Sequence, residues 1–241
     1  MDMVMEPWQY DPARDLDQPL LERLQRFPRE PDMLVYGLRL AAAGLTRCWL
    51  RLYHRLSISG AENLPAEGSF VLIANHASHL DTLCLLSALP LAKIHRTFPA
   101  AAKDYFFVNV PRMLLAVVVV NALPFDRQAG PRQSLSVCRQ LLENPGNILL
   151  IFPEGTRSST AEVGEFKAGV GLLVAGASFP VVPCYLQGAH GAWPKGTWFP
   201  RPRKVHVRVG LPRFFSERNC NKSSAVQISH ELRDAVLALA K

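Results

Sequence analysis

The sequence predicts a single α/β domain built on a mixed, mostly parallel central sheet flanked by helices. Short apolar runs alternate with helical patterns along most of the chain. Two of those runs, Phe70–Ala74 and Ile148–Ile151, contain no polar residue, as strands buried on both faces do. Each run opens directly into a stretch rich in reactive side chains, which places chemistry at strand ends. With 241 residues the chain is long enough for one sizeable core. Apolar residues make up 49% and charged residues 20%, a globular balance that excludes disordered and fibrous classes.

Residues 1–33 are polar and interrupted by Pro7, Pro12, Pro19, Pro28 and Pro31, so they read as an extended arm with one short helix at Leu20–Phe27. Residues 34–56 carry no acid and four arginines, Arg39, Arg47, Arg51 and Arg55. On a helix, Leu34, Leu38, Leu45, Trp49, Leu52 and Leu56 fall within an arc of roughly 60°, with the arginines on a separate arc. Two arrangements satisfy that pattern: an interfacial membrane helix with a cationic polar face, or a helix packed on the protein's own core. Four arginines argue against a spanning helix.

Residues 57–241 form the body of the domain. The strand Phe70–Ala74 leads to a helix through Asp81–Leu89, stopped by Pro90, and a strand at Thr97–Ala102 follows. Residues 105–120 are unusually apolar, and the unbroken run 113–120 is too short to span a bilayer. That segment reads as core, as a membrane-dipping piece, or as a wall for an apolar ligand. Asn121–Phe125 reads as a strand delivering Asp126 and Arg127. Ser134–Glu143 reads as a helix stopped at Pro145-Gly146, and 147–152 as a buried strand. A glycine-rich helix at Lys167–Ala177 precedes a strand at Val181–Leu186. Val205, Val207 and Val209 alternate with polar residues, which suggests a half-exposed edge strand. The chain closes on an amphipathic helix, Ser223–Ala240, with a serine cap expected.

The net charge is +7, but it is uneven. Residues 1–35 hold eight acids and four bases, which leaves the body with 23 bases against 12 acids. Such a body attracts polyanions: nucleic acid, anionic lipid or phosphorylated substrates. Nucleic acid fits least, because no aromatic-basic RNA motif is present. Five cysteines form no CxxC pair and mostly sit in apolar stretches, so reduced buried thiols are expected. Asp2, Glu6 and Asp11 replace the basic start of a signal peptide, and the expected location is the cytosol or a membrane facing it.

The first reactive stretch is Asn75-His76-Ala77-Ser78-His79-Leu80-Asp81. His76 and Asp81 lie about 140° apart on an ideal helix and could not pair there. They can pair if His76 occupies the turn before the helix: the carboxylate then fixes the imidazole tautomer and leaves the other nitrogen as a general base. A histidine that merely caps its helix is the competing reading. His76, His79 and Asp81 invite a metal, but no further ligand stands at motif spacing, and no metal site is assigned. The second stretch, Phe152-Pro153-Glu154-Gly155-Thr156-Arg157-Ser158, offers a close backbone approach at Gly155, a phosphate-sized fork at Arg157, and in Glu154 a group that orients a hydroxyl or the histidine.

Together, HxxxxD and FPEGTRS, roughly 75 residues apart, resemble the glycerolipid acyltransferases, and more narrowly the 1-acylglycerol-3-phosphate acyltransferase family. Pro124-Phe125-Asp126-Arg127, Phe166-Lys167-Ala168-Gly169 and Val181-Val182-Pro183 match further family positions, and the resemblance runs from about Ser57 to Pro212. It implies transfer of a fatty acyl group from a thioester, on coenzyme A or acyl carrier protein, to a lysophospholipid hydroxyl, with no cofactor. It implies His76 as general base and Asp81 as its partner. Arg127, Arg157 and Lys167 would hold the acceptor phosphate, with Glu154, Gly155 and Thr156 completing the pocket, in a protein held peripherally or monotopically on the cytoplasmic face of a membrane. An acceptor other than the glycerol phosphate, a thioester or ester hydrolase, and a non-catalytic lipid-binding protein are the alternatives; no G-x-S-x-G elbow supports a serine hydrolase.

Overall fold

A computed structural model describes residues 33–102, 115–125 and 131–241. The proline-containing arm up to residue 32, residues 103–114 of the apolar segment, and Arg127 lie outside the described residues.

Seven strands form one sheet in the order β1-β7-β6-β2-β5-β3-β4. They are β1 (Ser57–Ser59), β2 (Phe70–Ala74), β3 (Thr97–Ala102), β4 (Leu123–Phe125), β5 (Ile148–Ile151), β6 (Val181–Gln187) and β7 (His206–Val209). Every pairing is parallel except β6 with β7. Parallel strands need crossover connections, and those put helices on both faces of the sheet. The wholly apolar runs fit that demand, because each successive residue meets a different layer of core. Phe70, Leu72, Ile148, Leu150, Val182 and Cys184 pack into one layer. Val71, Ile73, Leu149 and Val181 pack into the other.

The first layer is covered by α1 (Met33–Tyr53) and α2 (Asp81–Ala88). The second is covered by α3 (Pro131–Glu143), α4 (Ala168–Val174) and α6 (Lys222–Ala238), with α5 (Ala189–Ala192) a single turn after β6. Helices α4 and α6 pack backbone against backbone: a Cβ on Gly171 would stand 2.0 Å from the Ala225 carbonyl oxygen. Three cysteines, Cys84, Cys138 and Cys184, are buried, two are exposed, and none is disulfide-bonded. Burial pushes the Cys138 and Cys184 thiols up to about 12, so they behave as small apolar residues.

Three expectations are corrected. Strand β7 is not an edge: it lies between β1 and β6, and the three-residue β1, too short to read from sequence, takes the edge. The cap of α6 is Asn221, whose side chain accepts from Ser224 N at 2.8 Å; asparagine and serine serve equally there. The largest correction concerns α1. Its apolar arc exists, but Leu38, Leu45 and Leu52 point away from the core and are exposed, at 74% for Leu45 and 76% for Leu52. The inward side carries the fully buried Leu50 together with Arg39 and Arg47. Arg39 is buried and donates to the Val118 carbonyl at 3.0 Å, and burial lowers its pKa to about 10. Arg47 donates to the carbonyls of Leu86, at 3.2 Å, and Leu89. Those carbonyls belong to the last turn of α2, where the following proline ends the helix and leaves acceptors without intrahelical donors. Only Arg51 and Arg55 of the four arginines are exposed.

Of the apolar segment 105–120, residues 115–119 form one π-helical turn. Ala116 and Ala122 pack together there and against Ala101, so the described part contributes to the core. Asn121, at φ 56, secures the entry to β4 by donating to the carbonyls of His95 and Thr97 at 3.0 and 3.1 Å.

Candidate active site

Strands β2 and β5 are neighbours, and the two reactive stretches leave their carboxyl ends. From β2 the chain passes to α2 on one face of the sheet, and from β5 to α4 on the other. Diverging connections open a crevice at the carboxyl ends of adjacent parallel strands, the usual ligand site of an open α/β sheet.

Asn75 terminates β2 in a fixed register. Its side-chain nitrogen donates to the Leu186 carbonyl at 3.1 Å, and its oxygen accepts from Leu186 N at 2.8 Å. The following residues turn sharply, and α2 begins at Asp81. His76 therefore sits in the turn before the helix, the placement that allows pairing. His76 Nδ1 lies 2.8 Å from Asp81 Oδ2. A carboxylate can only accept, so Nδ1 carries the proton and Nε2 holds the lone pair. The Asp81 side chain is 1% exposed and the His76 side chain 21%, which leaves the imidazole reachable and its partner sealed from water. Asp81 Oδ2 also accepts from the backbone N–H groups of Ala77 and Ser78, at 2.7 and 2.8 Å. Its position in the first turn of α2 adds the favourable end of the helix dipole.

The second stretch closes on the first. Glu154 Oε1 accepts from His76 N at 2.8 Å and Oε2 from Gly164 N at 3.2 Å. Ser158 N donates to the His76 carbonyl at 2.7 Å. Both backbone groups of His76 are thus held by residues from beyond β5, and Phe152 stacks on its ring at 4.0 Å. Burial holds the Glu154 carboxyl above its ordinary value, against the pull of its two backbone hydrogen bonds.

Gly155 adopts φ +73, and a Cβ there would meet Lys167 Nζ at 2.6 Å. Glycine therefore lets the Lys167 ammonium lie directly over the turn. Lys167 N in turn donates to the Pro153 carbonyl at 3.0 Å. Thr156 is exposed at the tip of the turn. One guanidinium nitrogen of Arg157 lies 2.6 and 2.7 Å from the two ring nitrogens of His79. Burial first, and then the positive charge of Arg157, holds His79 below its ordinary value and therefore neutral near pH 7.

Of the residues expected to act together, His76, Asp81, Glu154, Gly155, Arg157 and Lys167 converge here, and Thr156 joins them at the rim. Arg127 lies outside the described residues. Sequence reading missed Asn75, Gly164 and Trp193. Trp193 supports the turn: its carbonyl accepts from His79 N at 3.2 Å and from Ser78 Oγ at 2.8 Å, and its ring lies 5.2 Å from that of His79. Asn75 carried a signal, since an amide directly after an apolar strand can extend the ladder; Gly164 and Trp193 carried none. Among the described residues, no group of three or more His, Cys, Asp and Glu is placed to hold a metal ion.

Residues 55–187, more than half of the chain, match the family model described as Acyltransferase. Among curated proteins, a chloroplastic 1-acyl-sn-glycerol-3-phosphate acyltransferase of Arabidopsis thaliana is 33% identical over 149 residues, covering 60% of this chain and 39% of that protein. A chloroplastic 1-acyl-sn-glycerol-3-phosphate acyltransferase of Brassica napus is 31% identical, covering 60% of this chain and 41% of that protein. A Pseudomonas aeruginosa protein of the same name is 29% identical, covering 65% and 58%. The chain thus spans about two-fifths to three-fifths of these relatives' lengths. Among solved structures, the 1-acyl-sn-glycerophosphate acyltransferase of Thermotoga maritima superposes with a TM-score of 0.62 over 86% of this chain and 79% of that one, at 20% identity, which establishes the shared fold.

Proposed function

Because the chain belongs to the acyltransferase family, we propose that it moves a fatty acyl group from an acyl thioester to the free hydroxyl of a lysophospholipid, 1-acylglycerol-3-phosphate, giving phosphatidic acid. The observation that carries this reading is the His76–Asp81 pair at 2.8 Å, sealed on the Asp81 side and open on the His76 side. His76 Nε2 takes the proton of the acceptor hydroxyl as that oxygen attacks the thioester carbonyl. The carbon–sulfur bond then breaks, the imidazolium returns its proton to the departing thiolate, and the ester and a free thiol remain. Asp81 keeps its hydrogen bond to Nδ1 and stabilises the imidazolium. No acyl-enzyme forms. The donor is acyl-CoA or acyl carrier protein, and no cofactor takes part.

Arg157, Lys167 and Arg127 neutralise the acceptor phosphate, Arg157 through a planar fork and Lys167 as a point charge over Gly155. Thr156 stands at the rim, where a hydroxyl can reach a phosphate oxygen. Glu154 acts one step back, by fixing the backbone of His76. The body's excess of basic residues concentrates anionic substrates. Among the described residues no helix is long and apolar enough to cross a membrane, and the outward leucines of α1 support a peripheral position on a membrane; the face proposed is the cytoplasmic one.

The test is direct. Purified protein is mixed with labelled acyl-CoA or acyl carrier protein and a panel of lysophospholipids. Diacyl product should form with the wild type and vanish with His76→Ala at unchanged fold. Retained transfer by that variant would sink the mechanism, and release of free fatty acid regardless of acceptor would replace transfer with hydrolysis.

A further inference from the structure

The loop 193–204 between α5 and β7 presents two large aromatic side chains to solvent, Trp198 at 88% exposure and Phe199 at 82%. Neighbouring aromatics this exposed are uncommon on a soluble surface and mark a contact. Four bases of the same loop flank them in sequence, Lys195, Arg201, Arg203 and Lys204, all exposed. No acidic residue occurs between Glu165 and Glu217, so these bases have no acidic neighbour along the chain. The loop is not loose at its ends. At the first, Trp193 accepts from Ser78 and His79, and its indole nitrogen donates to the Thr197 carbonyl at 3.0 Å. At the second, Arg201 N donates to Ala192 O at 2.7 Å, Tyr53 Oη donates to Pro200 O at 3.1 Å, and Val205 N donates to His54 O at 3.1 Å. The aromatic tip is therefore stapled both to the turn that carries His76 and to the end of α1.

We propose that Trp198 and Phe199 are a second membrane anchor that inserts into the interfacial layer of an anionic bilayer while Lys195, Arg201, Arg203 and Lys204 bind its headgroups. This deepens the peripheral placement proposed above and rests on it. Aromatic rings at the headgroup level flanked by cations are the chemistry such an interface takes up, because apolar burial and charge attraction add. Two features favour a bilayer over an acidic protein. The bases flank the aromatics on both sides along the chain, Lys195 before them and Arg201, Arg203 and Lys204 after them, and the loop adjoins, through Tyr53, the outward leucines of α1 at 38, 45 and 52. Those leucines extend the apolar contact along about 20 Å of helix, a length that suits an extended surface.

The test measures vesicle binding, which needs no acyl transfer, so it reads out independently of the proposed reaction. The 241-residue chain is floated with phosphatidylcholine vesicles, with and without a minority of phosphatidylglycerol. Trp198→Ser/Phe199→Ser should lower the partition coefficient about tenfold or more on the mixed vesicles, since each ring contributes a large apolar area. Replacing the four loop bases by serine should erase the preference for the anionic vesicles. Brominated lipid should quench tryptophan emission of the wild type, and the quenching should fall in Trp198→Phe. Circular dichroism and transfer to a detergent-dispersed acceptor should be unchanged in these variants. Wild-type partitioning by the double variant, or no difference in quenching, would overturn the proposal. So would loss of a wild-type dimer in the double variant without a vesicle defect, which would assign the aromatics to a second copy of the chain.

Discussion

One oxygen of Asp81, Oδ2, holds the imidazole of His76 at 2.8 Å and also the two backbone N–H groups that follow it, Ala77 and Ser78. The pair and the turn that presents it are a single hydrogen-bonded unit. His76→Ala removes only the imidazole from that unit. Turnover should fall by about 10²–10⁴-fold, with a melting temperature within a few degrees of wild type. Asp81→Ala also strands two backbone donors, at a cost of about 1–3 kcal/mol each, so it should lose activity and melt markedly earlier. Product assays and thermal melts on both variants separate the two effects.

Glu154 ties the residues after β5 to the backbone of His76. In Glu154→Gln one backbone donor faces an amide nitrogen instead of an acceptor, which costs about 1–3 kcal/mol. Turnover should drop while acceptor KM changes little. A rise in KM without a fall in turnover would place Glu154 in the phosphate pocket instead.

Gly155→Ala acts on the other part of the site. The added Cβ would press on Lys167 Nζ and would occupy a positive φ, a strain of about 1–2 kcal/mol. The displaced ammonium should raise KM for a phosphate-bearing acceptor more than it lowers kcat. Steady-state kinetics against a phosphate-free lysolipid, on which the variant should match wild type, provide the control.

Gly171→Ala tests packing away from the chemistry. Its Cβ would stand 2.0 Å from the Ala225 carbonyl, so α4 and α6 must separate. Overpacking of this kind costs about 1–3 kcal/mol, and each kcal/mol lowers the melting temperature of a protein this size by about 2–4 °C.

Burial holds His54, His79, His95 and His206 below their ordinary value. The unfolded chain therefore binds protons first as pH falls through about 6.5. Stability from these groups is complete above that pH and declines below it. His54 lies buried against the edges of Trp49 and Tyr53, at centroid distances of 4.8 and 4.9 Å. His54→Phe should flatten the decline in melting temperature between pH 7 and pH 5.

The parts of the site legible in sequence are those whose chemistry is local. A histidine five residues before an aspartate can pair only if a turn separates strand from helix, and the apolar run before Asn75 announces that turn. The second motif was legible for the same reason. What sequence could not supply is the direction of a face. Leu38, Leu45 and Leu52 form one stripe on any helix, yet periodicity alone does not say which stripe meets the core. The deciding interaction is distant: Pro90 ends α2, its last carbonyls lack donors, and Arg47 provides them across a separation of 39 and 42 residues. The place of β7 depended likewise on β1, three residues whose only strand-like feature is a partner far along the chain.

Arg47 grips the C-terminal turn of α2, and Asp81 opens the same helix at the other end. Eight residues of α-helix make a strut of about 12 Å, anchored on one side to α1 and on the other to the imidazole. Whatever surface supports the leucine stripe is thereby kept at a set stand-off from His76. On the peripheral placement proposed above, the strut acts as a depth gauge that sets how far an acceptor rises from its layer to meet His76.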